Sequence, residues 1–429
     1  MKTQLAALLF LTISTICAQS RSTNTLTLLE KSSAIEQGIS SERLKKIDLM
    51  LQEAISQDNI PGAVALIMRN GKIIFHNAYG MANNSTNQNM KKDAIFRIAS
   101  QTKAITSTAV MMLWEEGKFR LDDPISKYIP EFKEAQILDT FNENDSTFTA
   151  IAAKDQITIR HLISHTSGIG YGVIDGDERF KKIYAKAGIT DLFSTKNISI
   201  AESVKKLAKL PLHHNPGEKF TYSEGLDVLG YFVEIISEMP FDKFLRKRIF
   251  DPLQMNDTWF YLPEEKHNRL VTVQEKKDGK WMKYPTTFYD TDYPRKGSKR
   301  FFSGGAGLSS TAKDYAIFLQ MFLNQGKLNG TRILSRTTIR SIMGNQIGAI
   351  WKDGPKHYGL AFGVVNNHGQ DMGGEGSAGT FDWGGYFNTQ YFADPKEQII
   401  GILMKQTQGK VDDQTGWKFR QMVFAAVDD

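Results

Sequence analysis

The sequence predicts an α+β fold, in which one antiparallel sheet is assembled from both chain ends and flanked by helices, with a mostly helical subdomain inserted at about residues 100–300. Three observations predict it. Apolar strand-length runs flank Asn70-Gly71 near the start, and strand-period segments return after residue 355. Between them lies a helical pattern broken by proline and glycine, led by an almost uncharged run behind Ser100.

In chain order, residues 1–18 read as a signal peptide. Lys2 precedes the apolar run Leu5 to Ile16, too short to span a bilayer, and the small Ala18 allows cleavage before Gln19. The expectation is a secreted or periplasmic protein. Ile16 stands where a lipoprotein signal has a small residue, which speaks against lipid anchoring at Cys17. Residues 19–40 are polar, rich in Ser and Thr, and read as a loosely held leader to the folded domain, 41–429.

Ser41 opens a helix with Leu44, Ile47, Leu51 and Ile55 on one face, ended by Pro61-Gly62. Ala63–Met68 and Lys72–Tyr79 then form a hairpin around Asn70-Gly71, since both residues tolerate the positive φ that a tight hairpin turn needs. Trp114-Glu115-Glu116-Gly117 marks the end of the helix that follows Ser100. Late strands are expected at Tyr358–Val365, Gly379–Phe387, Thr389–Phe392 and Gln398–Lys405, with a turn at Asp394-Pro395 and a last helix at Thr415–Val427.

The composition, 41% hydrophobic and 23% charged over 429 residues, is that of a globular protein with ample core material. Cys17 is the only cysteine, so a chain cleaved after Ala18 has no disulfide, thiolate nucleophile or cysteine metal site. The net charge of +6 includes the cluster Arg295-Lys296-Gly297-Ser298-Lys299-Arg300, read as a solvated loop because no nucleic-acid-binding pattern accompanies it. No later segment has the roughly 18 uninterrupted apolar residues of a membrane span.

Ser-x-x-Lys places a hydroxyl and an amine on adjacent turns of one helix face, where a desolvated lysine can serve as base to the serine. The spacing occurs at Ser100/Lys103, Ser203/Lys206 and Ser310/Lys313. Ser203 lies among three lysines that read as the wet face of an amphipathic helix. Ser310 follows a glycine-rich turn and reads as a helix N-cap. Only Ser100 leads an apolar helix, where a lysine needs a reason to be.

Phe96-Arg97-Ile98-Ala99-Ser100-Gln101-Thr102-Lys103, with Leu121-Asp122-Asp123-Pro124 beyond it, resembles the nucleophile region of class C β-lactamases. It also resembles their penicillin-binding-protein-like relatives, the family VIII carboxylesterases and D-amino-acid peptidases. Residues 159–168, 215–223 and 304–310 continue the likeness in the family's order, from about residue 40 to 425. The resemblance implies the β-lactamase/transpeptidase-like fold and a nucleophile at Ser100, with Lys103 and Tyr222 handling protons and no cofactor. It further implies an oxyanion hole from the Ser100 and Tyr386 N–H groups, on a strand Phe381-Asp382-Trp383-Gly384-Gly385-Tyr386 that resembles the Trp-Gly-Gly form of the esterases. Trp383, Gly384, Gly385 and Glu224 are then substrate-binding positions. Two departures stand out. Glu224 replaces the family's Asn, so that it either faces solvent or pairs with Lys103, and Asn388-Thr389 replaces Gly-Thr after the strand.

His161 and His165 have helical ligand spacing but lack the zinc-protease glutamate, so a structural role is expected and no metal. No Gly-x-Ser-x-Gly elbow occurs. Three functions stay open: a carboxylesterase on small acyl esters, a β-lactamase or D-Ala-D-Ala-type peptidase, and an inactive peptidoglycan-binding relative. The partner expected is a small ester or amide, not a nucleic acid or a membrane; the oligomeric state is not legible in the sequence.

Overall fold

The computed structural model describes residues 29–190, 192–287, 289–409 and 412–429; the signal-peptide reading, Cys17 and the leader up to residue 28 lie outside them. The helices that frame the sheet and the site are α1 (Ser41–Ser56), α2 (Thr102–Glu115), α3 (Ile159–Ile163), α4 (Ile200–Leu207), α5 (Gly225–Ser237), α6 (Ala312–Leu323) and α7 (Thr415–Ala425).

The eight strands of the main sheet are β1 (Gly62–Arg69), β2 (Lys72–Asn83), β3 (Gln88–Asn89), β4 (Lys356–Tyr358), β5 (Gly363–Val365), β6 (Phe381–Gly385), β7 (Thr389–Asp394) and β8 (Ile399–Met404). Their order is β4-β5-β6-β7-β8-β1-β2-β3, antiparallel at every described pair. The chain ends meet at its centre, where Val64 pairs with Met404 and Arg69 with Ile399. Asn70 and Gly71 turn the β1–β2 hairpin with φ of 52° and 75°, the conformation their residue types were expected to supply.

β1 is buried along its whole length because helices cover both faces of the sheet. Ala63, Ala65 and Ile67 pack with Leu44, Ile47 and Leu51 of α1 and Phe419 and Val423 of α7. Val64, Leu66 and Met68 point the other way, into the larger core that holds α2, α5 and α6. The two-residue period of the strand thus feeds two cores from one segment.

Three expectations need correction. The leader is not loose over its described part: Ser32 N–H donates to Ile73 O, Ile39 pairs with Val427, and Leu29, Ala34 and Ile39 are buried. The polar composition hid three apolar anchors, Leu29 in the larger core and Ala34 and Ile39 in the core beneath α1 and α7. The strand expected over Tyr358–Val365 is two strands, because the chain turns at Gly359, so close to the Ile342 carbonyl that a Cβ would sit 2.2 Å from it. The insertion is also less helical than its period suggested. It contains a hairpin, Gln136–Phe141 with Phe148–Ala152, and a ribbon, Gln274–Lys277 with Lys280–Lys283. The ribbon turns on Asp278 (φ 50°) and Gly279 (φ 76°), a hairpin signal as plain as Asn70-Gly71.

Candidate active site

Ser100 sits in a single 3₁₀ turn, Ala99–Gln101, that delivers the chain into α2. Ala99 has φ of 44°, a costly conformation for a residue with a Cβ, and the turn is held by Ile98 N–H on Leu308 O and by burial of Ala99. The result is a half-buried serine above a helix that is buried continuously from Thr102 to Leu113. Lys103 is 0% exposed. Its Nζ lies 3.3 Å from Ser100 Oγ, 3.1 Å from Tyr171 OH and 2.8 Å from Gly305 O. A buried amine touching an accessible hydroxyl has the contact that a nucleophile and its base require.

Tyr222 comes from the segment before α5. His165 holds that segment: its carbonyl accepts Thr221 N–H, and its Nδ1 lies 3.2 Å from Ser223 N and 3.0 Å from Ser223 Oγ. Burial pushes the His165 imidazole well below its usual range, with Lys103 adding to the effect, so it is neutral. The Tyr222 ring centroid lies 4.6 Å from Lys103 Nζ, and the Trp383 indole N–H donates to Tyr222 OH at 3.3 Å. Tyr171 stacks on Tyr222 at 5.6 Å. Lys103 Nζ therefore lies beside both phenol rings, 5.4 Å from the Tyr171 centroid and 4.6 Å from that of Tyr222.

β6 brings the third segment. Trp383 pairs with Tyr391 and Gly385 with Thr389, and β6 runs beside the Ser100 turn. A Cβ on Gly385 would sit 2.5 Å from Ile98 O, so glycine lets the strand approach the residues that lead into Ser100. Gly384 is exposed, and a Cβ there would meet only the Thr389 carbonyl, at 3.4 Å. Tyr386 begins the turn that follows, closed by Asn388 N–H on Gly385 O. Asn388 has φ of 65°, so the residue that replaces the family's glycine is the type that best tolerates that backbone.

Glu224 is 3% exposed, which overturns the solvent-facing alternative; its N–H donates to Gly170 O at 3.2 Å, and it occupies the N-cap of α5. Sequence reasoning missed three residues here. Tyr171 follows the quoted motif in Gly168-Ile169-Gly170-Tyr171-Gly172, and its amide donates to Asp175 Oδ2 at 2.7 Å. Asp227 is buried in α5 and accepts Gly305 N–H at 3.3 Å; burial raises its carboxyl pKa, against a lowering pull from Lys103. Gly305 joins them, its carbonyl on Lys103 and its N–H on Asp227. A lone aspartate among the apolar residues of α5 was the available signal.

The other Ser-x-x-Lys pairs are different objects. Ser203 is buried, donating to Thr190 O at 2.7 Å, while Lys206 is exposed. The wet-face reading therefore holds for the lysines and fails for the serine. Ser310 does not cap α6; Thr311 does, and Ser310 pairs with Phe96 in a two-residue strand, its hydroxyl 2.8 Å from Thr258 Oγ1. His161 closes a capping box with Thr158 at the start of α3.

A sequence profile for the family described as Beta-lactamase matches residues 47–423. Protein Rv1367c of Mycobacterium tuberculosis is 30% identical over 372 residues, 83% of this chain and 88% of its own length. Esterase EstB of Burkholderia gladioli is 29% identical over 378 residues, 84% and 90% of the two chains. Among solved structures, EstCE1, described as a hydrolase with promiscuous acyltransferase activity, superposes with a TM-score of 0.75 at 24% identity, covering 90% of this chain and 98% of its own. At that identity the likeness is one of fold.

Proposed function

The chain belongs to the β-lactamase family of serine hydrolases, and we propose that within it this protein is a carboxylesterase acting on esters with small acyl groups through an acyl-enzyme on Ser100. The observation that carries the reading is the wholly buried Lys103 Nζ at 3.3 Å from Ser100 Oγ. Lys103, as the amine, takes the Ser100 proton while Oγ attacks the ester carbonyl. The Ser100 and Tyr386 N–H groups receive the oxyanion, a service worth several kcal/mol when two donors are aimed at the developing charge. Tyr222, its oxygen already accepting the Trp383 N–H, gives its own proton to the departing alkoxide and regains one through Lys103. Water then releases the acid by the reverse sequence. The name of esterase EstB, similar along most of both chains, supports the ester side of this family.

Trp383 and Glu224 support the choice of substrate. A β-lactam or D-Ala-D-Ala peptide carries a carboxylate, and Trp383 offers stacking area without a charge to offset its desolvation. Glu224, where its carboxylate faces the substrate, adds like-charge repulsion against it. Purified enzyme assayed side by side should turn over p-nitrophenyl butyrate with far higher kcat/KM than nitrocefin. A comparable or higher value for nitrocefin would replace the esterase reading with the β-lactamase one, and inertness toward both would favour the binding relative.

A further inference from the structure

Phe302 precedes the glycine turn that holds Lys103, and Phe260 presses on that turn at Gly307, where a Cβ would lie 2.8 Å from its ring. With Phe250 and Trp259 these rings line a second cavity of about 600 Å³, within the size range of small-molecule sites. The basic loop Arg295–Arg300, read from sequence as merely solvated, forms part of its rim through Lys299 and Arg300.

That loop is pinned on both sides of Lys299. Gly297 packs so tightly on Tyr261 that a Cβ would fall 2.0 Å from its ring, Tyr261 OH donates to Phe301 O at 2.6 Å, and Ser298 Oγ donates to Ile198 O at 3.2 Å. Lys299 itself has φ of 57°, a strained conformation for a residue that is neither Gly nor Asn.

The neighbouring cations have carboxylate partners: Lys296 lies 3.5 Å from Asp292, Arg300 3.9 Å from Glu202, Lys243 3.6 Å from Asp242 and Arg246 3.5 Å from Asp251. Arg246 also donates to the Met255 and Thr258 carbonyls and covers the Trp259 ring at 3.8 Å. Among the described residues Lys299 has no carboxylate partner.

We infer that this cavity is a second ligand site, which takes a small amphiphilic carboxylate with its apolar body against the rings and its charge at Lys299. One unpaired ammonium beside a large aromatic wall matches a single charge on an apolar body better than a phosphate, which calls for a fork of donors. The site does not depend on the esterase reading.

Titration calorimetry of the purified protein with decanoate and with decanol tests it. Decanoate should bind saturably at one site, about tenfold or more tighter than decanol, since tenfold corresponds to about 1.4 kcal/mol for one charge contact. Lys299→Gly, which removes the charge and suits the backbone, should weaken decanoate binding several-fold, and Lys299→Glu more. Trp383→Ala should leave it unchanged. Absence of saturable binding, equal affinity in Lys299→Glu, or a loss on Trp383→Ala, which would move decanoate to the catalytic cleft, overturns the inference.

Discussion

Ser100/Lys103 and Ser203/Lys206 have the same spacing and opposite burial. At the head of α2 the lysine is enclosed and the serine opens to the surface; on α4 the serine is enclosed and the lysine is wet. Enclosure removes water from Lys103 and replaces it with three fixed oxygens, of Ser100, Tyr171 and Gly305. Lys206 keeps its water, and Ser203 spends its proton on the Thr190 carbonyl. Spacing makes two side chains neighbours, and burial decides which of them is left to react.

The comparison breaks most directly at the serines. Ser100→Ala should abolish turnover and covalent labelling by a fluorophosphonate. Ser203→Ala should keep both and cost about 1 kcal/mol of stability in urea unfolding, the usual value of one buried hydrogen bond. Labelling that survives Ser100→Ala would remove the mechanism altogether.

The lysines come next. Lys103→Ala should lower kcat/KM by about 10²- to 10⁴-fold, the usual contribution of a positioned general base, with the fold intact by circular dichroism. Lys206→Ala, in water already, should be indistinguishable from the parent. Near-parental activity in Lys103→Ala would point to an overlooked base, with Glu224 the first to test.

Gly305 sharpens the idea that fixed oxygens make the difference. A Cβ there would lie 2.5 Å from Asp227 Oδ2 and 3.3 Å from Tyr171 OH, so Gly305→Ala must displace the turn whose carbonyl holds Lys103. A shift of about 1 Å is enough to cost about 10²-fold in kcat. Steady-state kinetics should show that loss in kcat rather than KM; unchanged kcat would mean that the turn is only scaffolding.

The third pair gives the smallest and purely structural effect. Ser310 Oγ meets Thr258 Oγ1, which donates to Asp314 Oδ2, and burial raises the Asp314 carboxyl to about 6. A carboxyl raised on folding adds stability that is complete below its unfolded pKa, 3.8, and is lost as pH rises through about 6. Urea midpoints should therefore fall for the parent between pH 4 and 7 and fall less for Asp314→Asn. Equal slopes would show that the buried acid does not titrate in this window.

Local pattern was enough for much of this protein. The residue types Asn70-Gly71 specify a hairpin turn whatever surrounds them, and a run such as Ala104 to Leu113 cannot be stable in water, so the helix behind Ser100 had to be buried. Those interactions are made within a few residues of chain. The sheet's meeting of the two chain ends was legible as well, because strand period appears only there in long apolar runs.

Tertiary structure alone decided the rest. Lys103 is fixed by Tyr171 and Gly305, 68 and 202 residues away, and Gly305 in turn by Asp227. Ser203 and Ser310 each looked like a surface or capping residue until a distant carbonyl or hydroxyl closed over it. The sign of Glu224's burial was open for the same reason. A side chain's solvent exposure, and with it the reactivity of its charge or hydroxyl, is set by what packs over it, and that partner is chosen by the fold, not by the neighbours in sequence.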